Sequence, residues 1–179
     1  MMNDTVKVWD PLVRVFHWTL VLCFAVSWAS ADEWQDLHEI AGYTVAALVT
    51  FRVFWGLFGP RYARFSQFAR HPRIVAGYLA DMLKGRELRY LGHNPAGGMM
   101  VFALLLGLAA LTLTGWLYTD LLWGEEWVEE SHEWLSNVLL ALVVLHVAGV
   151  ILASLRHHES LVKSMITGRK RAPDDADVS

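Results

Sequence analysis

Cysteine is almost missing from this chain: one residue, Cys23, in 179. A single cysteine cannot close an internal disulfide. It also excludes a C-x-x-C-H site for covalent haem and a cysteine-ligated iron–sulfur cluster. Cys23 lies inside an apolar run and reads as a small packing residue. Charge is scarce where it would be expected to be plentiful, because four long stretches are nearly free of it. None of the 15 Lys and Arg lies in the connections 31–37 or 120–131. No cleavable leader is evident either: the first apolar run begins after Pro11 and is too long for a leader's apolar core, so it is expected to stay as a span.

What is present is apolar and aromatic. The chain is 55% hydrophobic with nine Trp. Arrangement, more than composition, gives the class. The four runs predict membrane-spanning helices over about 12–30, 37–58, 96–119 and 133–155, each near or above the roughly 20 residues that cross the hydrocarbon core. Gly59-Pro60 stops the second, Asn94-Pro95 opens the third, and Ser131 is expected to cap the fourth. The fold class expected is an all-α integral membrane four-helix bundle, one domain over 1–168, with a disordered polar tail over 169–179.

The two connections without Lys or Arg are acidic: Asp32, Glu33 and Asp36 in the first, then Asp120, Glu125, Glu126, Glu129 and Glu130 in the second. By the positive-inside rule both termini are cytoplasmic and both acidic loops are external. Most of the tryptophans fall near span ends, as an aromatic belt would. Segment 74–83 alternates Ile74, Tyr78, Leu79, Met82 and Leu83 with Arg73, Asp81 and Lys84, and reads as a short interfacial helix on the cytoplasmic surface.

Eight histidines remain to be placed. Four fall within spans or at their mouths: His17, His38, His132 and His146. Ionisable side chains at that depth are costly and mark function by default, although a single one is often just a hydrogen-bonding residue between helices. Depth sorts them into pairs. His132 and His146 are 14 residues apart on one helix, nearly four turns and about 21 Å, so they share a face at two levels. With the charge-derived topology, His17 meets the inner level and His38 the outer one. Two facing imidazoles per level are what a bis-histidine haem requires, so two non-covalent haem b groups are expected: one on His17 and His146, one on His38 and His132. Zinc fits less well, since it takes three or four clustered ligands.

Gly42, one turn after His38, and Gly149, three residues after His146, would let a flat ring approach a helix. Gly107 and Gly115 offer the same, and close helix packing explains each equally. Arg52, 14 residues after His38, lies on the same face at the inner level. It either meets a haem propionate or reaches out to the surface. His71, His93, His157 and His158 fall at or beyond the inner interface, where solvated or structural roles are the default; His93 has the further option of a propionate or a quinone headgroup.

With these residues placed, the chain resembles the bacterial cytochrome b561 family, and within it the b-type cytochrome subunits of nickel–iron hydrogenases. The matching pieces are Trp9-Asp10-Pro11 with Arg14 and His17-Trp18; Leu37-His38-Glu39 with Gly42; Arg52 with Trp55-Gly56; Arg89-Tyr90-Leu91-Gly92-His93-Asn94-Pro95; and Ser131-His132-Glu133 with His146. They run from Trp9 to about Lys163. The resemblance implies a dihaem b cytochrome of the bacterial inner membrane that passes electrons between the quinone pool (ubiquinone or menaquinone) and a redox partner. Its ligand positions match His17, His38, His132 and His146 one for one. The resemblance does not fix which partner: the acidic outer loops would steer a basic periplasmic c-type cytochrome by charge, although the positive-inside rule alone explains their acidity equally, and a dehydrogenase or hydrogenase subunit is the other partner expected. Beyond those, membrane lipid is the expected surrounding and no nucleic acid is expected. Exposed apolar helix faces permit a homodimer. No catalytic side chain is assigned. The alternatives are a quinone-reducing enzyme such as a superoxide:quinone oxidoreductase, and a non-haem membrane anchor or transporter.

Overall fold

The computed structural model describes residues 5–178. The chain is mostly helical. Four helices are long and apolar enough to cross a membrane: α1 (Pro11–Ser30), α2 (Gln35–Phe58), α4 (Pro95–Trp116, continued by a π-helical turn over Leu117–Leu121) and α5 (Glu126–Arg156). Between α2 and α4 lie a 3-10 turn (Arg61–Ala63), one helical turn (Phe65–Phe68) and α3 (Pro72–Leu83); α6 (Leu161–Thr167) follows α5. Only 6% of the most apolar window of α5 and 11% of that of α1 is buried. Side chains as apolar as these, left uncovered by protein, need lipid around them.

The chain divides into two compact units. The first comprises the residues up to Arg14, Trp55–Phe102, and those from Leu145 onward. Its polar end is tied by a two-stranded antiparallel ribbon in which β1 (Thr5–Lys7) pairs with β2 (Arg169–Arg171), Val6 opposite Lys170. Asp10 accepts from the backbone N–H of Val13 at 3.0 Å and from the Trp55 indole at 3.2 Å, so it caps α1 and pins the end of α2 together. Pro11 occupies the first helical position, where its missing N–H costs nothing. Phe65, Phe68 and Phe102 stack within 6 Å of one another. Gly56 and Gly98 admit this cluster, since a Cβ on either would collide with Phe65 or with the Phe68 backbone.

A charged network closes the same unit. The Arg89 side chain, 5% exposed, donates to Glu159 at 3.0 Å and to Asp177. Lys170, buried to 4%, donates to the Tyr90 and Leu91 carbonyls, both at 3.0 Å, and lies 3.7 Å from Glu159. Burial pushes its ammonium down to about 8, against the pull of Glu159. Polar composition pointed to a disordered tail after Gly168. Instead, residues 169–178 are held by β2, by these buried ion pairs and by backbone bonds between Val178 and the Arg89–Leu91 segment. Alternation decided it: Lys170 points inward while Arg169 and Arg171 point out.

The second unit comprises Val15–Phe54 and Ala103–Val144. Its buried apolar side chains are Phe16, Ala41, Val45, Val49, Leu105, Leu108, Val128 and Leu139, and Ser30 and Arg52 are buried too. On α2, Ala41, Val45, Val49 and Arg52 recur at four- and three-residue spacing, the inward stripe of a helix. Gly107 lets α4 approach α5, because a Cβ there would lie 2.6 Å from the Leu139 Cδ1. The helix expected from residue 133 begins seven residues earlier. Its first turns hold Glu126 and Glu129, whose charges suit a helix N-terminus, and Ser131 donates to the Trp127 carbonyl at 2.7 Å instead of capping.

Candidate functional site

Within the second unit the structure brings His38 of α2 and His132 of α5 close to each other. Their ring centres lie 6.0 Å apart with planes inclined at 69°. Each ring is fixed from behind. The His38 Nδ1 lies 2.8 Å from the Ser27 carbonyl of α1. A carbonyl only accepts, so Nδ1 carries the hydrogen and Nε2 keeps its lone pair. The His132 Nδ1 lies 3.1 Å from the Thr114 hydroxyl of α4. Thr114 spends its own hydrogen on the Leu111 carbonyl at 2.9 Å, so its oxygen accepts from the imidazole. Both histidines are thereby held in the tautomer that offers Nε2 as a ligand, by the outer-shell contacts that orient metal-binding imidazoles elsewhere.

The separation fits a bis-imidazole metal. Two imidazoles bonded through Nε2 at about 2 Å, as His-bound metals generally are, put their ring centres roughly 6 Å apart once the half-width of each ring is added. Among the described residues no three His, Cys, Asp or Glu side chains converge on one point. A pair of imidazoles alone suits an ion whose remaining ligands come with it, as the four pyrrole nitrogens of a haem do. Gly115 completes the cradle. A Cβ there would stand 3.2 Å from Cε1 and 3.5 Å from Nδ1 of His132, so the ring lies directly against the α4 backbone.

The other sequence-marked residues are placed as follows. His17 is half-buried on α1 in the second unit, its ring edge-on to Trp18 at 5.1 Å. His146 is half-buried on α5 in the first unit. Arg52 is only 3% exposed, so its guanidinium does not reach out to the surface. At Gly42 and Gly149 a Cβ would meet nothing within 4 Å, so neither is a helix-packing glycine; Gly107 is.

His71 caps α3, accepting from the Arg73 N–H at 3.3 Å. His93 lies in the first unit between Trp9 at 4.8 Å and Phe68 at 4.4 Å. His157 is half-buried, and burial lowers its imidazole below the usual value. Ser27 and Thr114 escaped sequence reasoning. Hydroxyls in apolar helices are common, and only Thr114's place beside Gly115 hinted at a role.

The sequence profile of prokaryotic cytochrome b561 matches residues 8–168. The chain belongs to that family. It is therefore a b-type cytochrome of the membrane, with haem b as its cofactor and electron transfer as its work, and the four apolar helices make it multi-pass. The chain is also similar to a protein of Azotobacter vinelandii named "Probable Ni/Fe-hydrogenase B-type cytochrome subunit", 25% identical over 221 positions covering 97% of this chain and 91% of the relative. A protein of the same name from Rhizobium leguminosarum bv. viciae is 22% identical, covering 98% of this chain and 92% of the relative. A third, from Cupriavidus necator, is 24% identical, covering 93% and 87%. The first two alignments run to 221 and 222 positions against 179 residues here, so those cytochromes carry segments this b561 chain lacks.

Proposed function

We propose that this cytochrome b561 carries two haem b groups and relays electrons between the quinone pool and a redox partner across the inner membrane. The observation that carries the reading is the His38–His132 pair, whose spacing and hydrogen bonding fit one haem. The second haem falls to His17 and His146. The support there is the 14-residue step from His132 to His146, about 21 Å along α5, and the membrane cost of leaving either imidazole idle. Arg52, a buried cation in a span, suits a propionate of the haem at that level. Gly42 and Gly149, with space beside them, suit the approach of a ring face.

Haem b held by these histidines would supply one-electron chemistry. Two imidazoles for each haem would leave no position for oxygen or peroxide. Ser27 and Thr114 hold two of the imidazoles in the ligating tautomer. Both termini and α3 are assigned to the cytoplasmic side by the distribution of Lys and Arg. The redox partner is a periplasmic cytochrome or, from the names of the relatives, a hydrogenase subunit; the missing segments weigh against an unmodified hydrogenase docking surface.

Haem content per chain tests the reading. Two per chain are expected in the wild type. His38→Ala and His132→Ala should each leave one, and His17→Ala and His146→Ala should each leave the other. A wild type with one haem, or an inner pair whose loss changes nothing, would overturn the second site. Absence of a b-type alpha band would sink both.

A further inference from the structure

The second unit holds a further polar cluster that the haem ligands do not use. The Tyr43 hydroxyl donates to the Asp120 carboxylate at 2.7 Å, and the Thr119 hydroxyl lies 2.9 Å from the same oxygen. Thr119 also donates to the carbonyl of Gly115, the glycine that seats His132. The backbone there is a π-helical turn, Leu117–Leu121, which shifts Thr119 and Asp120 out of the register α4 would give them. Such turns recur at functional sites. Asp120 stands at the last turn of the apolar span, where a carboxylate meets both lipid and water. Tyr43 is 47% exposed, and the apolar side chains of Ile40, one turn before it on α2, and of Trp116 and Leu121, close to Thr119 and Asp120 in the chain, are exposed as well. The cluster therefore opens towards lipid. It lies one helical turn, about 6 Å, along α4 from Gly115 and five residues, about 7.5 Å, along α2 from His38.

We propose that Tyr43, Thr119 and Asp120 form the head-group contact of a quinol-oxidising site beside the His38–His132 haem. This rests on the quinone-linked reading above. A quinol that becomes a quinone loses two protons and two electrons. It needs a proton acceptor reachable from lipid and an electron acceptor close by. Asp120 takes one proton from each quinol hydroxyl in turn and passes it to water at the interface, so two are released in all. The Tyr43 hydroxyl turns from Asp120 to the ring oxygen. A haem held by His38 and His132 would accept the electrons one at a time, the first passing on to the redox partner before the second arrives. A plain interhelix clasp is the competing account of the same hydrogen bonds.

The experiment uses full-length holoprotein in detergent. Two readouts are taken: the rate of haem reduction by a short-chain ubiquinol or menaquinol, and binding of an alkyl hydroxyquinoline N-oxide followed by its own fluorescence. Asp120→Asn should slow reduction at least tenfold and weaken binding by a similar factor, and Tyr43→Phe should act in the same direction. Asp120→Glu should keep most of both, and Glu125→Gln should change neither. Glu39, which faces Tyr43 on α2, and Glu129, which accepts from Tyr118 at 3.4 Å, are the neighbouring acids to be replaced as controls.

Wild-type rates and binding in Asp120→Asn and Tyr43→Phe would overturn the proposal. So would a loss accompanied by loss of the dithionite-reduced alpha band, which would mark a clasp. A wild type with intact haems that no quinol reduces would instead refute the quinone-linked reading itself.

Discussion

Replacing Thr114 by Val removes one oxygen and keeps the shape of the side chain. In the structure that oxygen is the acceptor for the His132 Nδ1–H at 3.1 Å. The imidazole would then keep only its backbone contact with Leu111, and its plane and tautomer would be held less firmly. Loss of an outer-shell partner of this kind typically costs 10- to 100-fold in metal affinity, or about 1.4 to 2.7 kcal/mol. The assay is titration of haem into protein from which it has been extracted, followed by the alpha band, with the two sites resolved as two binding steps. The weaker affinity should fall on one step only.

Thr112→Val is the matched control. Its hydroxyl donates to the Leu108 carbonyl at 2.9 Å on the same helix, so the same atom is lost without touching a ligand. If Thr114→Val binds both haems as the wild type does, or if Thr112→Val weakens binding as much, the tautomer argument is wrong.

Further outcomes follow from the first unit and from Gly107 of the second. Arg89→Ala leaves Glu159 with Lys170 at 3.7 Å and the Arg171 N–H, and Asp177 with Arg171 at 3.9 Å, and should lower stability by about 3 kcal/mol, read as a drop in the thermal midpoint in detergent. Lys170 sets a pH dependence. Its folded value, about 8, is below that of the unfolded chain, near 10.4, so between these limits the unfolded state binds more protons and stability rises with pH. The thermal midpoint should climb from about pH 8 to 10.4, and Lys170→Met should abolish that climb. His71→Ala removes the cap of α3 and should cost about 0.5 to 2 kcal/mol, visible as faster amide exchange over its first turn. Gly107→Ala drives a Cβ into Leu139 and should cost about 1 to 3 kcal/mol.

The four spans were legible because a membrane helix is written as one uninterrupted apolar run, and the nearness of His38 to His132 because each opens a span that follows a connection without Lys or Arg. What escaped is local. The start of α5 was hidden by Glu126, Glu129 and Glu130, which read as a solvated loop although carboxylates stabilise a helix N-terminus; the buried Val128 among them was the only sign. The tail was misjudged because average polarity does not report alternation, and the inward turn of Lys170 depends on Glu159 and two carbonyls far off in sequence. The π-helical turn has no sequence signature at all, since one extra residue in a turn leaves the apolar pattern intact. Ser27 and Thr114 are ordinary span hydroxyls until their neighbours are known.

The ribbon of β1 and β2 also governs the order of assembly. Thr5 pairs with Arg171, so one strand is made before all four spans and waits for a partner made after them. A chain halted anywhere before Arg169 can insert its helices but cannot close this unit, and its N-terminal strand stays open to other pairings. Membrane insertion and final closure are thus separate events, and any quality control that senses the open strand can tell a finished molecule from an unfinished one.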